Sequence, residues 1–264
     1  MRHDTLEGRV ALITGGAGGI GRGIAKVLLE KGVTVILGDI REQALEEARR
    51  SLASDQGASV FSRTMDVRRI QSIEETLDWA EETFEAVDLL VNNAGVCYEH
   101  AFLDANEAAD RNTVEVNLRG VLNTTRAFAA RLIARKRGGS VVNIASNAAK
   151  RPYSEYIEYN ATKAAVVNLT HTLSQELAQF GINVNAVCPG AVDTDMLTYC
   201  MCAAIDRSHS AFTLEEARSS WGPKQLGRLV QPEEVGRVVV FLLGSDATII
   251  RGQAINVDAG DTQF

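Results

Sequence analysis

The sequence predicts an α/β fold, a doubly wound parallel sheet of about seven strands with helices on both faces. Short runs rich in Val, Ile and Leu alternate with longer amphipathic stretches along the chain. Such uninterrupted apolar runs are typical of parallel strands that are buried on both faces. A glycine-rich stretch, TGGAGGIGRG at 14–23, follows the first run directly and leads into a helical pattern. The 264 residues and 45% hydrophobic content suit one open sheet, so we predict a single Rossmann-type domain over 1–264.

The predicted strands are separated by helices, an order that produces right-handed crossovers. The strands are RVALIT (9–14), VTVILGD (33–39), ASVFSRTMDV (58–67), VDLLVNNAG (87–95), SVVNIAS (140–146), INVNAVCPG (182–190) and QAINVD (253–258). Helices are predicted over 19–31, 42–53, 70–84, 106–136 and 157–180, and from 231 onward. Residues 193–229 show no regular pattern, so we predict an irregular segment there.

Composition and charge argue against several classes of function. The 27 basic and 34 acidic residues give a net charge of −7, whereas binding nucleic acid needs a basic face. The longest apolar run, Val238–Leu243, is too short to span a bilayer. The cysteines lack metal-ligand spacing, which predicts reduced thiols at Cys97, Cys188, Cys200 and Cys202. With no visible secretion leader, we expect a cytoplasmic protein without a metal, a nucleic-acid partner or a membrane association.

The glycine-rich stretch matches two phosphate-binding patterns. One is G-x-G-x-x-G from residue 16, and the other is T-G-x-x-x-G-x-G from residue 14. Glycines let the backbone approach a pyrophosphate closely, and free N–H groups at a helix N-terminus face its charge. A purely structural turn is the alternative. The second pattern accompanies the downstream motifs described below, and it predicts a dinucleotide site with contacts from Gly15, Gly19, Ile20 and Gly21.

Asp39 ends the second predicted strand, 18 residues after Gly21. A carboxylate at this position can accept hydrogen bonds from both hydroxyls of an adenosine ribose, and it repels a 2′-phosphate. Gly18 has no basic side chain that could bind such a phosphate, so both residues favour NAD over NADP. Arg41 is an opposing feature, because a nearby arginine can allow some use of NADP. An ordinary surface turn is the alternative for Asp39.

Tyr159 and Lys163 stand four residues apart at the start of a predicted helix, so their side chains share one face. Ser146 ends the preceding strand, at the edge of the sheet where ligands bind in such folds. A tyrosine with its ordinary pKa of about 10 is a poor base, and lowering that pKa by about three units needs roughly 4 kcal/mol. A lysine ammonium favours the phenolate, which suits this group to removing a proton from an alcohol while a hydride leaves its carbon.

Six features occur in order along the chain: TGGAGGIG at 14–21, NNAG at 92–95, Asn117, Ser146, YNATK at 159–163 and PGAVDT at 189–194. In this order and spacing they resemble the short-chain dehydrogenase/reductase family, over about residues 8–260. The resemblance implies that Tyr159 is the acid or base, that Ser146 orients the substrate oxygen, and that Lys163 binds the nicotinamide ribose. It also implies that Asn117 anchors a water for proton exchange. Further cofactor contacts are implied at Asp66, Val67, Asn93, Val192 and Thr194.

The C-terminal part of the sequence is similar to the polyol, sugar and vicinal-diol dehydrogenases of this family. We therefore predict an NAD-dependent enzyme that interconverts a secondary alcohol and a ketone. The resemblance implies a homotetramer or homodimer, formed through the helices at 106–136 and 157–180. The alternatives are a 3-oxoacyl or other carbonyl reductase that uses NADPH, and a non-enzymatic NAD-sensing binder.

The substrate is expected to lie under the segment 193–229, which would form a lid. Apolar side chains of this lid are candidates for one wall of the substrate site, namely Met196, Tyr199, Met201, Phe212 and Trp221. On the other side, Lys150 and Arg151 lie between Ser146 and Tyr159. They either contact an anionic substrate or belong to a solvated loop.

Overall fold

The computed structural model describes residues 6–53, 59–104, 106–208 and 212–262. Within them, seven strands form one parallel sheet in the order β3-β2-β1-β4-β5-β6-β7, which confirms the predicted fold class. Residue 58, the first of the predicted third strand, and both ends of the predicted domain lie outside the described residues. The strands are β1 (Val10–Thr14), β2 (Thr34–Asp39), β3 (Val60–Thr64), β4 (Leu89–Asn92), β5 (Gly139–Ile144), β6 (Ile182–Pro189) and β7 (Ala254–Val257).

Helices connect the strands at the predicted places. One π-helical turn, Glu115–Arg119, joins α4 to α5, so the predicted long helix is continuous from Glu107 to Ala134. The helices that cover the sheet are α1 (Gly19–Leu29), α2 (Glu42–Leu52), α3 (Ile70–Phe84), α4 (Glu107–Val114), α5 (Gly120–Ala134), α6 (Ile157–Leu177) and α9 (Pro232–Leu243).

The prediction of an irregular segment over 193–229 is wrong, because the segment contains α7 (Asp195–Ser208) and α8 (Leu214–Trp221). A capping box starts α8: the Glu216 N–H donates to Thr213 Oγ1, and the Thr213 N–H donates to the Glu216 carboxylate. The two helices bury only a small apolar cluster around Met201, Ala217 and Leu229. So few buried positions produce no clear helical periodicity in the sequence.

Each face of the sheet is covered by helices, because alternate residues of a strand point to opposite faces. Ala11 and Ile13 of β1 pack against α1 and α9, whereas Val10 and Leu12 pack against α3 and α5. Both faces therefore need apolar side chains, which accounts for the uninterrupted apolar runs. The helical partners include Ile24, Leu28, Val235 and Val239 on the first face and Ile73, Leu77, Phe128 and Leu132 on the second.

The strand order reverses between β1 and β4, with β2 and β3 on one side and the remaining strands on the other. In open α/β sheets, ligands bind in the crevice at the carboxyl ends of the strands where the order reverses. The glycine-rich turn after β1 and the NNAG motif after β4 both lie at this edge. Among the described residues, no helix has the length and apolar character needed to cross a membrane.

Candidate active site

The glycine-rich turn packs closely against the residues that follow β4 and β6. Gly15 has a φ of +63°, and a Cβ there would lie 2.7 Å from Ala94 Cα. A Cβ at Gly19 would lie 2.7 Å from Thr194 Cγ2. Gly18 caps α1 and has no side chain, so no side-chain group covers the first N–H groups of the helix. A turn of bare backbone at a helix N-terminus fits the pyrophosphate of a dinucleotide.

Asn93 holds this turn in place from the end of β4. Its Nδ2 donates to the carbonyl oxygens of Thr14 (3.0 Å) and Gly15 (2.9 Å). In return, Thr14 Oγ1 accepts from the backbone N–H groups of Asn93 and Ala94, both at 3.0 Å. The side chain of Asn93 therefore positions the turn, and a contact of its backbone with an adenine ribose stays a prediction.

Asp39 lies at the end of β2, buried with 5% of its surface exposed. Its carboxylate accepts from the backbone N–H groups of Ala17 (3.2 Å) and Arg41 (3.0 Å). The Arg41 guanidinium donates to both carboxylate oxygens at 3.2 Å. The same guanidinium lies 4.0 Å from the position of a Cβ at Gly18, so Arg41 supplies a cation where residue 18 has none.

The other predicted cofactor contacts lie around the same edge of the sheet. The Asp66 carboxylate is bound by the guanidinium of Arg68 (2.8 and 2.9 Å), which lowers the pKa of Asp66. Thr194 Oγ1 accepts from the N–H of Leu197 at 3.3 Å in the first turn of α7. The remaining three are apolar residues that are buried or packed on the core, namely Ile20, Val67 and Val192.

Lys163 is buried on α6, with 4% of its surface exposed. Its Nζ donates to the Ile144 carbonyl oxygen at 2.8 Å and lies 5.5 Å from the centroid of the Tyr159 ring. Ser146 follows β5, and its Oγ accepts from the Ala148 N–H at 3.1 Å. Ser146 also lies near Tyr159, since it acts to lower the pKa of that phenol. The structure thus brings Ser146, Tyr159 and Lys163 together.

Asn117 is fully buried in the π-helical turn between α4 and α5. Its Oδ1 accepts from the Val96 N–H (2.8 Å), and its Nδ2 donates to the Val96 carbonyl oxygen (2.9 Å). A Cβ at Gly95 would lie 3.4 Å from Asn117 Oδ1 and 3.5 Å from Lys163 Nζ. The missing side chain of Gly95 therefore leaves the space between these two polar groups free, which fits a ribose or a water.

Burial shifts the pKa values of Lys163 and Tyr159 in opposite directions. It lowers the pKa of Lys163 to about 8. It raises the pKa of Tyr159 above its ordinary value, and Ser146 partly offsets this effect. We expected Lys163 to lower the pKa of Tyr159, but the protein without a bound cofactor shows no such effect. The Lys163 ammonium is directed at the Ile144 carbonyl oxygen and not at the phenol oxygen.

Comparison with protein families gives a match over residues 9–201 to the model described as short chain dehydrogenase. The chain belongs to the short-chain dehydrogenase family. This family of oxidoreductases is the one that the motifs indicate, and the fold and the grouping of Ser146, Tyr159 and Lys163 agree with it.

Relatives match the chain over almost its whole length. A diacetyl reductase ((S)-acetoin forming) of Staphylococcus epidermidis is 35% identical over 254 residues, covering 96% of this chain and 98% of the relative. A crystal structure of actinorhodin polyketide ketoreductase with NADPH is 35% identical with a TM-score of 0.91, covering 97% of this chain and 98% of that one. A crystal structure of NAD+-bound xylitol dehydrogenase is 27% identical with a TM-score of 0.88, covering 97% and 99% of the two chains.

Polar residues adjoin Ser146, and the sequence did not indicate how they connect. The Asn147 Nδ2 donates to Tyr153 Oη (2.9 Å) and to Asp261 Oδ2 (3.3 Å). Asn147 Oδ1 accepts from Ser146 Oγ at 3.4 Å, which links the serine to the C-terminal residues. Tyr153 Oη donates to Asp261 Oδ2 at 3.3 Å. Asp261 lies 115 residues after Ser146, so no local pattern could have indicated this contact.

Lys150 and Arg151 both bind groups near the C-terminus of the described chain. Lys150 Nζ donates to the Ala254 carbonyl oxygen (2.9 Å) and to Asn256 Oδ1 (2.8 Å), which connects it to β7. Arg151 forms an ion pair with Asp261 at 2.9 Å. Both side chains have partners within the protein, a role that neither the anionic-substrate prediction nor the solvated-loop alternative included.

The candidates for the apolar wall of the substrate site differ in exposure. Met201 is fully buried within the segment itself, in the cluster with Ala217 and Leu229. The other candidates expose between 37% and 60% of their surface, namely Met196, Tyr199, Phe212 and Trp221. A role of these four side chains in the substrate site stays a prediction.

Two charged clusters near the site were not predicted from the sequence. His100 Nε2 lies 2.7 Å from Asp110 Oδ1 and 3.4 Å from Glu158 Oε2, and Glu158 precedes Tyr159. Hydrogen bonds to the Ala101 carbonyl oxygen and to Asp110 raise the pKa of His100. The second cluster joins Arg207 of α7 to Glu99 and Glu155, with 2.7 Å between Arg207 and Glu155. Both clusters join residues that are distant in sequence.

Proposed function

We propose that this protein is an NAD-dependent oxidoreductase that interconverts a secondary alcohol and a ketone. The observation that carries the proposal is the group formed by Ser146, Tyr159 and Lys163 at the carboxyl edge of the sheet, beside a turn that fits a pyrophosphate. A bound nicotinamide ring would supply the acceptor or donor of the hydride. The chain itself has to bind the alcohol oxygen and move its proton.

In this proposal Tyr159 Oη is the proton acceptor in oxidation and the donor in reduction. Ser146 Oγ hydrogen-bonds the substrate oxygen and so orients the carbon toward the hydride acceptor. Lys163 binds the nicotinamide ribose from the space beside Gly95. Asn117 would hold a water in the same space, through which the proton reaches solvent.

The preference for NAD rests on Asp39. Its buried carboxylate is positioned to accept from the adenosine-ribose hydroxyls, and a 2′-phosphate there would meet a negative charge. The remaining proposed cofactor contacts are those of the glycine-rich turn and of Asp66, Val67, Asn93, Val192 and Thr194. The resemblance to NAD+-bound xylitol dehydrogenase supports this assignment.

For the substrate we propose a polyol, a sugar or a vicinal diol. The polar group formed by Asn147, Tyr153 and Asp261 adjoins Ser146 and offers both donors and acceptors to a second hydroxyl. The relatives that are named for diacetyl and xylitol support a substrate with adjacent oxygen atoms. We also propose that 193–229 closes over this substrate as a lid, since α7 follows directly on Thr194.

A carbonyl reductase that uses NADPH is the second candidate, and Arg41 is the observation that favours it. Its guanidinium lies beside Gly18, where a 2′-phosphate could be bound. The actinorhodin polyketide ketoreductase, whose structure contains NADPH, is the relative that supports this reading. A non-enzymatic NAD-sensing protein is a weaker alternative, because Tyr159 and Lys163 are both retained.

We further propose a cytoplasmic homotetramer or homodimer, assembled through α4 to α6. Four free cysteines suit a reducing compartment. Light scattering on the purified chain would give a mass of two or four times 28.5 kDa if the proposal holds, and a single chain mass would contradict it.

The proposed reaction is tested with a panel of sugar alcohols, vicinal diols and hydroxy acids, each with NAD and with NADP. The reverse direction uses diketones and 3-oxoacyl thioesters with NADH and NADPH. We expect the highest kcat/KM for a diol or polyol with NAD. The highest value for a 3-oxoacyl thioester with NADPH would establish the second candidate instead. Binding of a dinucleotide without any turnover would favour the NAD-sensing protein.

A further inference from the structure

The last described residues, 258–262, form a tight turn after β7, the C-terminal turn. Asp258 is buried, and its carboxylate accepts from the N–H groups of Gly260 (3.1 Å) and Thr262 (2.9 Å). The Asp261 N–H donates to the Asp258 carbonyl oxygen at 3.2 Å. The turn is therefore fixed by its own hydrogen bonds, and the side chain of Asp261 extends from a defined backbone position.

The C-terminal turn also packs against the carboxyl edge of the sheet. Gly190, which follows β6, donates its N–H to the Val257 carbonyl oxygen at 3.2 Å. A Cβ at Gly190 would lie 2.7 Å from Asp258 Cβ, so only a residue without a side chain allows this close approach. Gln225 Nε2, between α8 and α9, donates to the Gly260 carbonyl oxygen at 3.2 Å. These contacts fix the position of the turn relative to the candidate active site.

Three side chains that follow Ser146 bind the carboxylate of Asp261. One oxygen, Oδ2, accepts from Asn147 Nδ2 and from Tyr153 Oη, both at 3.3 Å. The other oxygen, Oδ1, accepts from Arg151 Nη1 at 2.9 Å. The ion pair of Arg151 with Asp261 is partly exposed to solvent, and exposed ion pairs contribute little to stability. The hydrogen bond that continues toward Ser146 is the one from Asn147.

The Asp261 carboxylate determines the orientation of the Asn147 side-chain amide. An ionised carboxylate only accepts hydrogen bonds, so the NH2 end of the amide has to face it. The same Nδ2 donates to Tyr153 Oη at 2.9 Å, so each of its two hydrogens has an acceptor. The carbonyl end of the amide, Oδ1, is consequently directed at Ser146 Oγ, 3.4 Å away.

The Ser146 hydroxyl is held between two groups. Its Oγ accepts from the Ala148 N–H at 3.1 Å and donates to Asn147 Oδ1 at 3.4 Å. A flip of the amide would replace this acceptor by an NH2 group, and the serine hydroxyl would then have to turn away. The position and direction of the hydroxyl therefore depend on Asn147 and, through it, on Asp261.

We propose that Asp261 is a positioning residue, which acts through Asn147 to hold the Ser146 hydroxyl in place for the reaction. The effect on the reaction rests on the proposed function, in which Ser146 Oγ orients the substrate oxygen. A small misplacement of such a group lowers the rate of the chemical step. Loss of Asp261 should therefore lower kcat and leave cofactor binding unchanged.

The holding of Ser146 is tested without a substrate, by amide hydrogen exchange of Ala148 followed by NMR. The Ala148 N–H is bonded to Ser146 Oγ, so Asp261→Ala should raise its exchange rate at least about threefold. Asp261→Asn retains an acceptor for the Asn147 amide and should exchange like the wild type. Asp261→Ala should add nothing to Ser146→Ala, because the bonded oxygen is already absent. An unchanged rate in Asp261→Ala, or the same increase in both backgrounds, would overturn the proposal.

The effect on turnover is measured with the best substrate of the panel. We expect kcat to fall at least about tenfold in Asp261→Ala and no more than about threefold in Asp261→Asn, with NAD binding unchanged in both. In the Ser146→Ala background, Asp261→Ala should cause no further loss. Asp246→Asn is the matched control, since Asp246 is exposed after α9, and it should behave as the wild type.

The two measurements separate this proposal from the proposed function. Equal losses of kcat on removal of Asp261 with and without Ser146 would contradict a role through the serine. If no compound of the panel is turned over, the proposed function fails, and the exchange rate of Ala148 alone decides whether Asp261 holds Ser146.

Discussion

Asp39 and Arg41 are hydrogen-bonded partners that favour different cofactors. The sequence indicates the carboxylate clearly, because it ends β2 at the expected distance from the glycine-rich turn. The position of the guanidinium was not predictable, since the side chain of Arg41 crosses to Asp39 and to the space beside Gly18. The preference between NAD and NADP thus depends on whether the adenosine ribose interacts more strongly with the Asp39 carboxylate or with the Arg41 guanidinium.

Replacement of Asp39 by Ala should relax the selection against NADP. The variant removes the acceptor for the ribose hydroxyls and frees Arg41 to bind a 2′-phosphate. We expect the ratio of kcat/KM for NAD to that for NADP to fall by about tenfold or more, which corresponds to about 1.4 kcal/mol. Arg41→Ala is the matched variant and should shift the ratio in the opposite direction. An unchanged ratio in Asp39→Ala would rule out this carboxylate as the selector.

At the scale of secondary-structure elements, α6 carries both Tyr159 and Lys163, and buried polar groups fix its position on the sheet. Asn143 Nδ2 of β5 donates to Thr170 Oγ1 of α6 at 2.9 Å. Asn143 Oδ1 accepts from Asn92 Nδ2 of β4 at 2.8 Å. These residues connect two strands to the helix, and their side chains lie in positions that the apolar pattern alone would assign to the core.

Thr170→Val should destabilise the protein, although the two side chains have nearly the same shape. The change leaves the buried Asn143 Nδ2 without this acceptor, at a cost of about 1–3 kcal/mol in the free energy of unfolding. Thr172→Val is a suitable control, since Thr172 is exposed on the same helix, and its effect should stay within about 0.5 kcal/mol. Urea unfolding measures both variants. Equal effects would mean that the Asn143 contact contributes nothing.

The cluster of His100, Asp110 and Glu158 joins the connection after β4 to α4 and to the first turn of α6. The pKa of His100 is raised in the folded chain. Folding is therefore favoured by proton binding below the unfolded pKa of about 6.5, and this advantage is lost as the pH rises through the higher folded value. Asp110→Asn should remove most of this pH dependence from the urea midpoint between about pH 5 and 8. His171→Asn, at an exposed site on α6, should retain it; a wild-type midpoint that rises over this range would refute the assignment.

The number of buried residues in a strand or helix decides how well the sequence predicts that element. Strands and helices with many buried positions were predicted to within a few residues, because their apolar periodicity is strong. The segment 193–229 was not, since α7 and α8 bury few residues. The grouping of Ser146, Tyr159 and Lys163 followed from motif spacing. The contact of Asn147 with Asp261 joins distant parts of the chain, and no local pattern encodes it.

At the scale of the whole molecule, the sheet brings two separate turns to one edge and so forms the proposed cofactor site. Binding there should stabilise the entire fold, because a ligand that binds only the folded state shifts the unfolding equilibrium. At a concentration of one hundred times Kd, NAD should add about 2.7 kcal/mol to the free energy of unfolding. NADP at the same concentration should add less.

Gly19→Ala should abolish this NAD-dependent stabilisation, because the added Cβ would lie 2.7 Å from Thr194 Cγ2 and displace the turn or the residue facing it. Gly244→Ala is the matched control, since a Cβ there meets no atom closer than 3.5 Å. Thermal unfolding with and without NAD gives the comparison within each variant. A full NAD-dependent shift in Gly19→Ala would contradict the assignment of the turn.

The central claim is that Tyr159 transfers the proton of the substrate hydroxyl, and Tyr159→Phe tests it most directly. The variant removes only the phenol oxygen, so kcat with the best substrate should fall by at least about a hundredfold. NADH binding, followed by fluorescence titration, should be retained. Full turnover in Tyr159→Phe would contradict the proposed mechanism.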